Sequence, residues 1–476
     1  MTNQTEVKPL GLIKTVGLVL GAVIAFTLAY SVSWCGFLML VFLYCLLALA
    51  KFGTTRSVFY SGWAIGLLAY PFQLWFFYTI FGKAAVLLWL IAAFWLMAFV
   101  LLARLCFANF KPTLAVILIP FLWTGLEYFR SELYCLRFSW LNIGYALPAP
   151  LNGFVGMYGI GFVVIAIVTV YSNWQVLKAS WIRSFPRISL IVVFVILLFL
   201  LVVLAMFLPA LADSKVRHRK TVSAAGMQME FPTEIEVVHG LDKLNWEFPQ
   251  AQLFVLSEYT FQGLVPERVK AWCREHQRYL IVGGEDPAPG ENYYNTAFVI
   301  STNGEVVFKQ VKSVPIQFFK DGLPAPEQKL WNSPWGKIGI CICYDLSYTR
   351  VTDQLIRLGA QALIVPTMDV ADWGRRQHEL HALVTPVRAA EYGIPIFRVT
   401  SSGISQFVDG GGRVIASAPF PGELATIQGN LTFRHPGRLP LDRFLAPLCV
   451  VVTAVVIVLL AFVSLRRKLQ GRAKLT

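Results

Sequence analysis

The sequence has little charge for its length. Only 14% of its 476 residues are charged, whereas 56% are hydrophobic. That balance excludes an ordinary soluble globular protein over the whole chain. Basic residues outnumber acidic ones, 41 to 27, but many of them flank long apolar runs, where they orient a chain in a membrane. The formal net charge of +14 therefore gives no reason to expect a nucleic-acid partner.

Cysteine is scarce outside the apolar runs. Five of the eight cysteines lie in or beside those runs, namely Cys35, Cys45, Cys106, Cys135 and Cys449. The polar region holds only Cys273, Cys341 and Cys343. This distribution excludes a disulfide framework. The sequence contains no Cys-x-x-Cys pair, and we expect Cys341 to be a core residue.

The sequence also lacks a convincing metal-binding motif. The segment from His378 to His381 reads His-Glu-Leu-His. It is not the His-Glu-x-x-His pattern of zinc peptidases, and no third ligand is evident. We therefore expect these two histidines on a helix surface, and we expect neither a metal nor another cofactor.

Long hydrophobic runs are abundant. A run of about 20 apolar residues is long enough to cross a bilayer as a helix. Eight runs qualify, at about 11–31, 33–50, 57–80, 84–107, 112–129, 152–172, 188–210 and 443–465. The first is too long for the apolar core of a signal peptide. We predict a membrane domain of seven helices over 1–210, a soluble domain over 211–440, and a last helix with a basic tail over 441–476.

The loops predict the orientation of these helices, because basic residues collect on the cytoplasmic side. The two chain ends and one set of alternate loops are rich in Lys and Arg: Lys8, Lys14, Lys51, Arg56, Arg104, Lys111, Lys178, Arg183, Arg187, Arg466, Arg467, Lys468, Arg472 and Lys474. The other loops carry only Lys83, Arg130 and Arg137. Both termini are thus predicted to lie inside and the soluble domain outside.

The region after about residue 221 is predicted to have a layered α/β fold, because short apolar strands alternate with helices and hairpins. Strands at 295–301 and 305–311 flank an Asn-Gly turn, the strongest short-range signal for a hairpin. Lys312 follows the second strand. The apolar run 337–343 predicts a buried strand that ends at Cys343.

Three reactive side chains therefore follow predicted strands. Glu258 comes after the apolar run 253–256, Lys312 after the hairpin, and Cys343 at the end of its strand. A thiol nucleophile needs a base to take its proton, and Glu258 is the candidate. Lys312 would stabilise the oxyanion of a tetrahedral intermediate, and the backbone near Tyr344 would add hydrogen-bond donors. The set indicates amide or acyl chemistry.

Each of these residues also has a simpler interpretation. A lone cysteine is more often a small buried hydrophobe than a nucleophile. Glu258 alone would more often cap a turn, and Lys312 alone would usually be a solvated lysine at a strand end. Lys309 is a rival for the lysine position. Asp321 is either a turn residue or part of the site.

Three further positions stay open. Glu127 and Arg130, near the end of the fifth apolar run, are either interfacial anchors or part of a site. Trp373 either lines a lipid entrance or packs against other aromatic side chains.

The soluble region resembles the carbon–nitrogen hydrolase (nitrilase) superfamily. Residues 339–346, Gly-Ile-Cys-Ile-Cys-Tyr-Asp-Leu, are similar to that family's nucleophile strand. Residues 253–259 resemble its glutamate strand, and residues 303–312 resemble its hairpin leading to the lysine. The resemblance implies an α-β-β-α sandwich in which the three reactive side chains form a Glu-Lys-Cys triad.

The sequence departs from that superfamily at the lysine and at a second acidic residue. Counting forward from the hairpin places the family lysine at Lys312, whereas counting back from Val314 and Pro315 places it at Gln310. The family's second glutamate is missing, and Asp321 is the nearest acidic substitute.

The apolar region is similar to the apolipoprotein N-acyltransferase family, which joins such a domain to membrane helices. The matching segments are 120–130, 138–141 and 156–161, with 388–393 and 401–405 downstream. The resemblance implies transfer of a fatty acyl chain from a phospholipid to the N-terminal cysteine amine of a diacylglyceryl apolipoprotein. It also implies a thioester on Cys343, ping-pong kinetics, and a bacterial inner membrane with the soluble domain in the periplasm.

Two other functions stay open at this point. One is a membrane-tethered amidase, in which water replaces the amine. The other is a catalytically inactive domain that serves as a membrane scaffold. The presence of all three reactive residues argues against the scaffold.

Overall fold

A computed structural model describes residues 10–174 and 220–472. The predicted membrane helix at 188–210 lies outside the described residues. The described chain forms two compact units, an apolar unit and a sheet unit. The apolar unit comprises residues 10–148, 155–174 and 441–472, and the sheet unit comprises residues 149–154 and 220–440.

The apolar unit is helical. Its α-helices are Leu12–Ser31, Met39–Phe52, Thr55–Gln73, Phe76–Phe81, Ala85–Asn109, Pro112–Tyr128, Ile143–Ala146, Met157–Ser172 and Asp442–Arg472. Within the described residues, five helical segments are long and apolar enough to span a membrane: Leu12–Ser31, Ser33–Phe52, Phe76–Asn109, Pro112–Leu133 and Asp442–Arg467. The prediction of several such helices is confirmed, and the full count of eight stays a prediction.

The structure divides the predicted span 57–80 between two helices. The helix Thr55–Gln73 ends before Leu74, and the next begins at Phe76. This second helix continues through a short 3-10 turn into Ala85–Asn109. The apolar run is helical, as predicted, but a turn at Leu74 interrupts it. The sequence did not indicate this turn, because neither Gly nor Asn occurs at that position.

The helices Thr55–Gln73 and Ala85–Asn109 pack closely because glycines line their contact. A Cβ atom on Gly62 would lie 2.8 Å from the Cα of Met97, and one on Gly66 would lie 2.6 Å from the Cα of Ala93. Small residues four apart let apolar helices approach through van der Waals packing, where the hydrophobic effect cannot drive their association.

Glu127 and Arg130 are buried inside the apolar unit. Oε1 of Glu127 accepts the backbone N–H of Ile143 at 3.0 Å, and the Arg130 guanidinium donates to the Asn142 side chain. Both residues are less than a tenth exposed. Both residues therefore belong to an internal polar cluster of the apolar unit, and their role as anchors or as part of a site stays a prediction.

Asp442 closes the first turn of the helix Met157–Ser172. Its Oδ2 accepts the backbone N–H of Tyr158 at 2.9 Å, one of the N–H groups that a first helical turn leaves without an intrahelical acceptor. Gly156, with a φ of 81°, leads into this helix, and a Cβ there would lie 2.1 Å from the Asp442 carboxyl carbon. The last helix is thus tied to a helix far away in sequence.

The sheet unit contains two six-stranded sheets. The strands are β1 (Lys220–Met227), β2 (Leu253–Val255), β3 (Tyr279–Pro287), β4 (Tyr293–Ile300), β5 (Val306–Val311), β6 (Leu330–Asn332), β7 (Lys337–Ile340), β8 (Ala362–Thr367), β9 (Ile396–Thr400), β10 (Ser405–Val408), β11 (Val414–Ala418) and β12 (Thr426–Phe433). One sheet has the order β12-β1-β2-β3-β4-β5 and the other β11-β10-β9-β8-β7-β6. In each sheet three neighbouring strands run parallel, β1-β2-β3 and β7-β8-β9.

The two sheets pack face to face, and helices cover their outer faces. Val255 of the first sheet and Ile340 of the second share one buried apolar cluster. Phe254 points to the opposite face, as successive strand residues do, and packs against Val237 and Val269 of two helices. The helices of this unit are Glu234–Glu247, Glu267–His276, Thr349–Arg357, Arg375–Ala382 and Val384–Tyr392. The predicted layered α/β fold is confirmed.

Replacing Asp442 with alanine should lower the thermal stability of the protein, because the buried Tyr158 N–H would lose its acceptor. We expect a loss of about 1 kcal/mol, measured by thermal unfolding of the full chain in detergent. Asp442→Asn keeps an acceptor oxygen and should lose less. An unchanged unfolding temperature for Asp442→Ala would contradict this role.

Candidate active site

Glu258 follows the carboxyl end of β2, in the middle of the first sheet. Gly283 of β3 makes room for it, because a Cβ on Gly283 would lie 2.6 Å from the Glu258 Cα. The side chain is almost completely buried. Nδ2 of Asn295 donates to its Oε1 at 2.6 Å, and the backbone N–H of Met368 donates to its Oε2 at 2.7 Å. The carboxylate is therefore fixed at both oxygens.

Lys312 reaches Glu258, whereas Lys309 does not. Nζ of Lys312 is fully buried and lies 2.8 Å from Oε1 of Glu258 and 2.7 Å from Oδ2 of Asp321. Lys309 lies three residues earlier, on the opposite face of β5. It is 45% exposed and pairs with Asp286. The structure thus places Lys312, and not its rival, beside the predicted base.

Gln310, the other position that the family spacing allowed, lies outside the cluster. Its Oε1 accepts the backbone N–H of Lys329 at 3.0 Å, and its Nε2 donates to the carbonyl of Val311. Its side chain therefore supports the loop that follows β5. Of the two positions, only Lys312 lies in the cluster, and its catalytic role stays a prediction.

Asp321 lies within the cluster. Besides Lys312, its carboxylate accepts the hydroxyl of Tyr259 at 2.8 Å, Nδ2 of Asn295 at 2.9 Å, and the backbone N–H of Ile316 at 2.7 Å. Two carboxylates thus share one lysine. Asp321 therefore lies in the cluster with Lys312 and Glu258. Its position in the sequence had left open whether it was a turn residue or part of the site.

Cys343 lies three residues beyond β7, which ends at Ile340 rather than at the cysteine as predicted. It begins a 3-10 turn, Cys343–Ser347, with a φ of 51°, a conformation that costs a non-glycine residue roughly 1–3 kcal/mol. The buried Sγ donates to the carbonyl of Met368 at 3.6 Å. Because the N–H of Met368 binds Glu258, this one peptide segment contacts both the thiol and the base.

Asp345 holds the cysteine turn against the lysine loop. Its carboxylate accepts the backbone N–H groups of Ser313, Val314 and Ile342 at 2.7–3.3 Å. Burial raises the pKa of Asp345 to about 6, although these N–H groups oppose the shift. One side chain therefore fixes the segments that carry Lys312 and Cys343.

The charges of the cluster separate the roles of its members. Burial and the Glu258 carboxylate hold the pKa of the Cys343 thiol well above its usual range, so the resting sulfur keeps its proton. Burial alone would lower the pKa of Lys312, but Glu258 and Asp321 outweigh it and raise the pKa well above normal. Burial raises the pKa of Glu258, whereas Lys312 outweighs burial at Asp321 and lowers its pKa. Glu258 is therefore the carboxylate suited to accept a proton.

Three other residues that the sequence singled out lie in the sheet unit, namely Cys341, Tyr344 and Trp373. Cys341 is completely buried, as expected of a core residue. Tyr344 follows the cysteine in the first turn of the 3-10 segment, with its ring against Tyr348 at 4.9 Å, and its N–H as an oxyanion donor stays a prediction. Trp373 packs against Phe319 at 6.1 Å, which fits aromatic packing and leaves the lipid entrance a prediction.

The prediction that His378 and His381 lie on a helix surface is wrong. Both are on the helix Arg375–Ala382, and both are buried. Nδ1 of His381 lies 2.8 Å from Oδ1 of Asp369. No partner for these histidines is evident in the neighbouring sequence, because the acidic residue beside His381 follows β8 and approaches it only in the folded chain.

Sequence reasoning also missed Asn295 and Tyr259, which bind the carboxylates of the cluster. Tyr259 belongs to the segment 253–259 that resembles the glutamate strand, but nothing there indicated a role for its hydroxyl. Asn295 lies in a strand of the predicted hairpin, and the one available signal was a polar residue at a buried strand position.

One group of side chains in the described residues offers metal-ligating atoms, namely Cys343, Asp369 and His381, within 4.8 Å of one another. The Asp369 carboxylate already accepts the guanidinium of Arg398. The positive charge of Lys312 also lies close enough to Cys343 to lower the pKa of its thiol, against the larger effect of burial. Because two internal cations adjoin these ligands, the arrangement fits proton transfer better than a bound metal ion.

Both units of the chain match known families. Residues 224–433 match the carbon-nitrogen hydrolase family, and residues 20–170 match the apolipoprotein N-acyltransferase N-terminal domain. Together the two matches take in the sheet unit and most of the helices that precede it.

Individual relatives agree with these matches. An apolipoprotein N-acyltransferase of Geobacter metallireducens is 24% identical over 403 residues, which cover 73% of this chain and 74% of that protein. A deaminated glutathione amidase of Dictyostelium discoideum is 26% identical over 186 residues, covering 34% of this chain and 64% of that protein. Among solved structures, Nit3 of Saccharomyces cerevisiae is 19% identical, with a TM-score of 0.40 over 44% of this chain and 90% of that chain. Similarity to the acyltransferase thus extends over both units, whereas similarity to the amidase covers only a third of the chain.

Replacing Asp345 with alanine should destabilise the sheet unit strongly, because three backbone N–H groups would lose a common acceptor. Each buried group left without a partner costs about 1–3 kcal/mol. Asp286→Ala is the matched control, since it removes a carboxylate whose exposed ion pair contributes about 0–1 kcal/mol. Thermal unfolding of the full chain measures both, and equal effects would contradict the role of Asp345.

Proposed function

We propose that this chain, an apolipoprotein N-acyltransferase-like protein of the nitrilase superfamily, transfers a fatty acyl chain from a phospholipid to an apolipoprotein. The acceptor would be the amine of the N-terminal cysteine of a diacylglyceryl apolipoprotein. One observation carries the proposal. A buried lysine joins two carboxylates beside a buried cysteine, in a chain whose helical unit matches the N-terminal domain of apolipoprotein N-acyltransferases.

In the first half of the proposed reaction, Cys343 attacks the ester carbonyl of the phospholipid. Glu258 takes the thiol proton. The raised pKa of Glu258 favours this transfer, and the raised pKa of the thiol makes a base necessary. The Lys312 ammonium stabilises the oxyanion, an interaction whose loss typically costs about 3–4 kcal/mol of barrier. Glu258 returns this proton to the leaving oxygen as the carbon–oxygen bond breaks. A lysophospholipid leaves, and an acyl thioester remains on Cys343.

In the second half, the amine of the acceptor attacks the thioester carbonyl. The carbon–sulfur bond breaks and the thiol is restored. Because the donor product leaves before the acceptor reacts, the kinetics are ping-pong. Asp321 keeps its negative charge throughout and holds Lys312 in its ammonium form, as the lowered pKa of Asp321 indicates.

The membrane layout belongs to the same proposal. Eight spans with both termini cytoplasmic place the sheet unit outside the bacterial inner membrane, in the periplasm. The distribution of Lys and Arg among the loops supports this orientation. Five long apolar segments among the described residues support the membrane location.

Incubation of the full chain in detergent with a phospholipid should yield a fatty acyl thioester on Cys343. Intact-protein mass spectrometry would detect the added acyl mass, and hydroxylamine should remove it. Cys343→Ala should carry no adduct, and cells that depend on this variant should accumulate lipoproteins with free amino termini. Turnover of a small amide without any lipid-derived adduct would instead support a membrane-tethered amidase.

A further inference from the structure

A second buried polar cluster lies beside Cys343, built from elements of the second sheet. Asp369 follows β8, His381 lies on the helix Arg375–Ala382, and Arg398 lies on β9. All three side chains are no more than about 2% exposed. Because charged groups in a protein interior are costly unless they are paired, the contacts among these three decide what the cluster can do.

Asp369 is the centre of this cluster. Its Oδ1 lies 2.8 Å from Nδ1 of His381 and accepts Nε2 of Gln377 at 3.0 Å. Its Oδ2 accepts the Arg398 guanidinium. Gly403 leaves room for the carboxylate, because a Cβ there would lie 2.7 Å from Oδ2. The imidazole is thus oriented by a carboxylate that is itself fixed.

The cluster reaches the nucleophile. A nitrogen of the His381 ring, a carboxylate oxygen of Asp369 and Sγ of Cys343 all lie within 4.8 Å of one another. A thiol, an imidazole and an orienting carboxylate form the general arrangement of nucleophile, base and orienter used in acyl transfer. Glu258 is a different base, which the first sheet supplies to the same sulfur.

We propose that His381, oriented by Asp369, is a second proton acceptor at Cys343 that serves the transfer of the acyl group from sulfur to the incoming amine. The inference rests on the proposed function only for the existence of an acyl thioester. Glu258 is assigned the thiol proton in the first half-reaction. His381 offers a second base for the other half-reaction, because a nitrogen of its ring lies within 4.8 Å of the same sulfur.

The proposed step balances without any other reactant. The amine nitrogen forms a bond to the thioester carbonyl carbon, and His381 takes one N–H proton. The carbon–sulfur bond then breaks, and its electron pair goes to sulfur. The resulting imidazolium returns the proton to the Cys343 thiolate, so that the enzyme regains its thiol and neutral imidazole.

The surroundings of His381 favour the neutral imidazole that this step needs. Asp369, Arg398 and Cys343 face it from three neighbouring segments, and His378 lies near it on its own helix. Burial lowers the pKa of His381, and Arg398 and His378 lower it further, against the opposing Asp369 carboxylate. Nδ1 of His381 lies 2.8 Å from Oδ1 of Asp369 and 3.0 Å from Nη2 of Arg398. The tautomer that donates Nδ1–H to Asp369 is the one that has its lone pair on Nε2, and the proposed step uses that tautomer.

Single-turnover kinetics can separate the two halves of the reaction. The full chain in detergent would be acylated with a p-nitrophenyl fatty ester, whose burst of p-nitrophenolate reports thioester formation. A short peptide with a free amino terminus would then be added, and mass spectrometry would follow the decay of the thioester. We expect His381→Gln to slow this decay by about 10²-fold or more, the usual contribution of a general base, and to change the burst rate by no more than about threefold.

The control is His276→Gln, which changes a partly buried histidine outside this cluster, on the helix Glu267–His276, where its ring packs on Trp272. It should leave the ratio of the two rates unchanged. In the unaltered protein the decay rate, corrected for the fraction of peptide whose amine is unprotonated, should fall as the pH drops below the lowered pKa of His381, and His381→Gln should abolish that limb. This pH profile keeps the inference testable even if His381→Gln does not fold.

Two results would overturn the role of His381. One is an equal loss of both half-reactions in folded His381→Gln, which would indicate packing support. The other is an unchanged decay rate with an unchanged pH profile. If the p-nitrophenyl ester acylates Cys343 but phospholipid does not, the proposed lipid donor fails while the test of His381 still stands.

Discussion

The site depends on one interaction, the sharing of the Lys312 ammonium between Glu258 and Asp321. A single buried lysine cannot neutralise two carboxylates, so the group carries one net negative charge next to a thiol. This imbalance pushes the pKa values of the two carboxylates apart, since Glu258 is raised and Asp321 lowered. It also explains why Cys343 rests as a thiol and requires a base. Removing one partner of such a buried pair typically costs about 3–5 kcal/mol.

The two sheets supply different parts of this chemistry. The first sheet brings Glu258 at the end of a parallel strand and Lys312 at the end of a hairpin. The second brings Cys343, and with it the Asp369 and His381 pair. Carboxyl ends of parallel strands collect side chains at one edge of a sheet, and face-to-face packing of two sheets brings two such edges together. The proposed nucleophile and bases can therefore meet although long stretches of sequence separate them.

The sequence predicted those features that leave a local pattern. Apolar runs indicated helices, alternating strands and an Asn-Gly turn indicated the layered fold, and strand-end positions indicated Glu258, Lys312 and Cys343. Contacts between distant segments left no such pattern. The burial of His381 depends on Asp369, which follows another strand. The choice between Lys312 and Gln310 depended on the loop after β5, which binds the Gln310 side chain through the N–H of Lys329. β7 ends before Cys343 because the backbone turns there, and the apolar residues gave no sign of that turn.

The most direct test compares Lys312→Met with Lys309→Met. Both variants exchange a lysine for an apolar side chain of similar length, but Lys312 is fully buried and Lys309 is 45% exposed. Both proteins would be confirmed as folded by their thermal unfolding in detergent, and the rate of acyl thioester formation on Cys343 would then be measured. The account predicts a loss of about 10²-fold or more for Lys312→Met and an unchanged rate for Lys309→Met. Folded Lys312→Met that forms the thioester at the unaltered rate would contradict it.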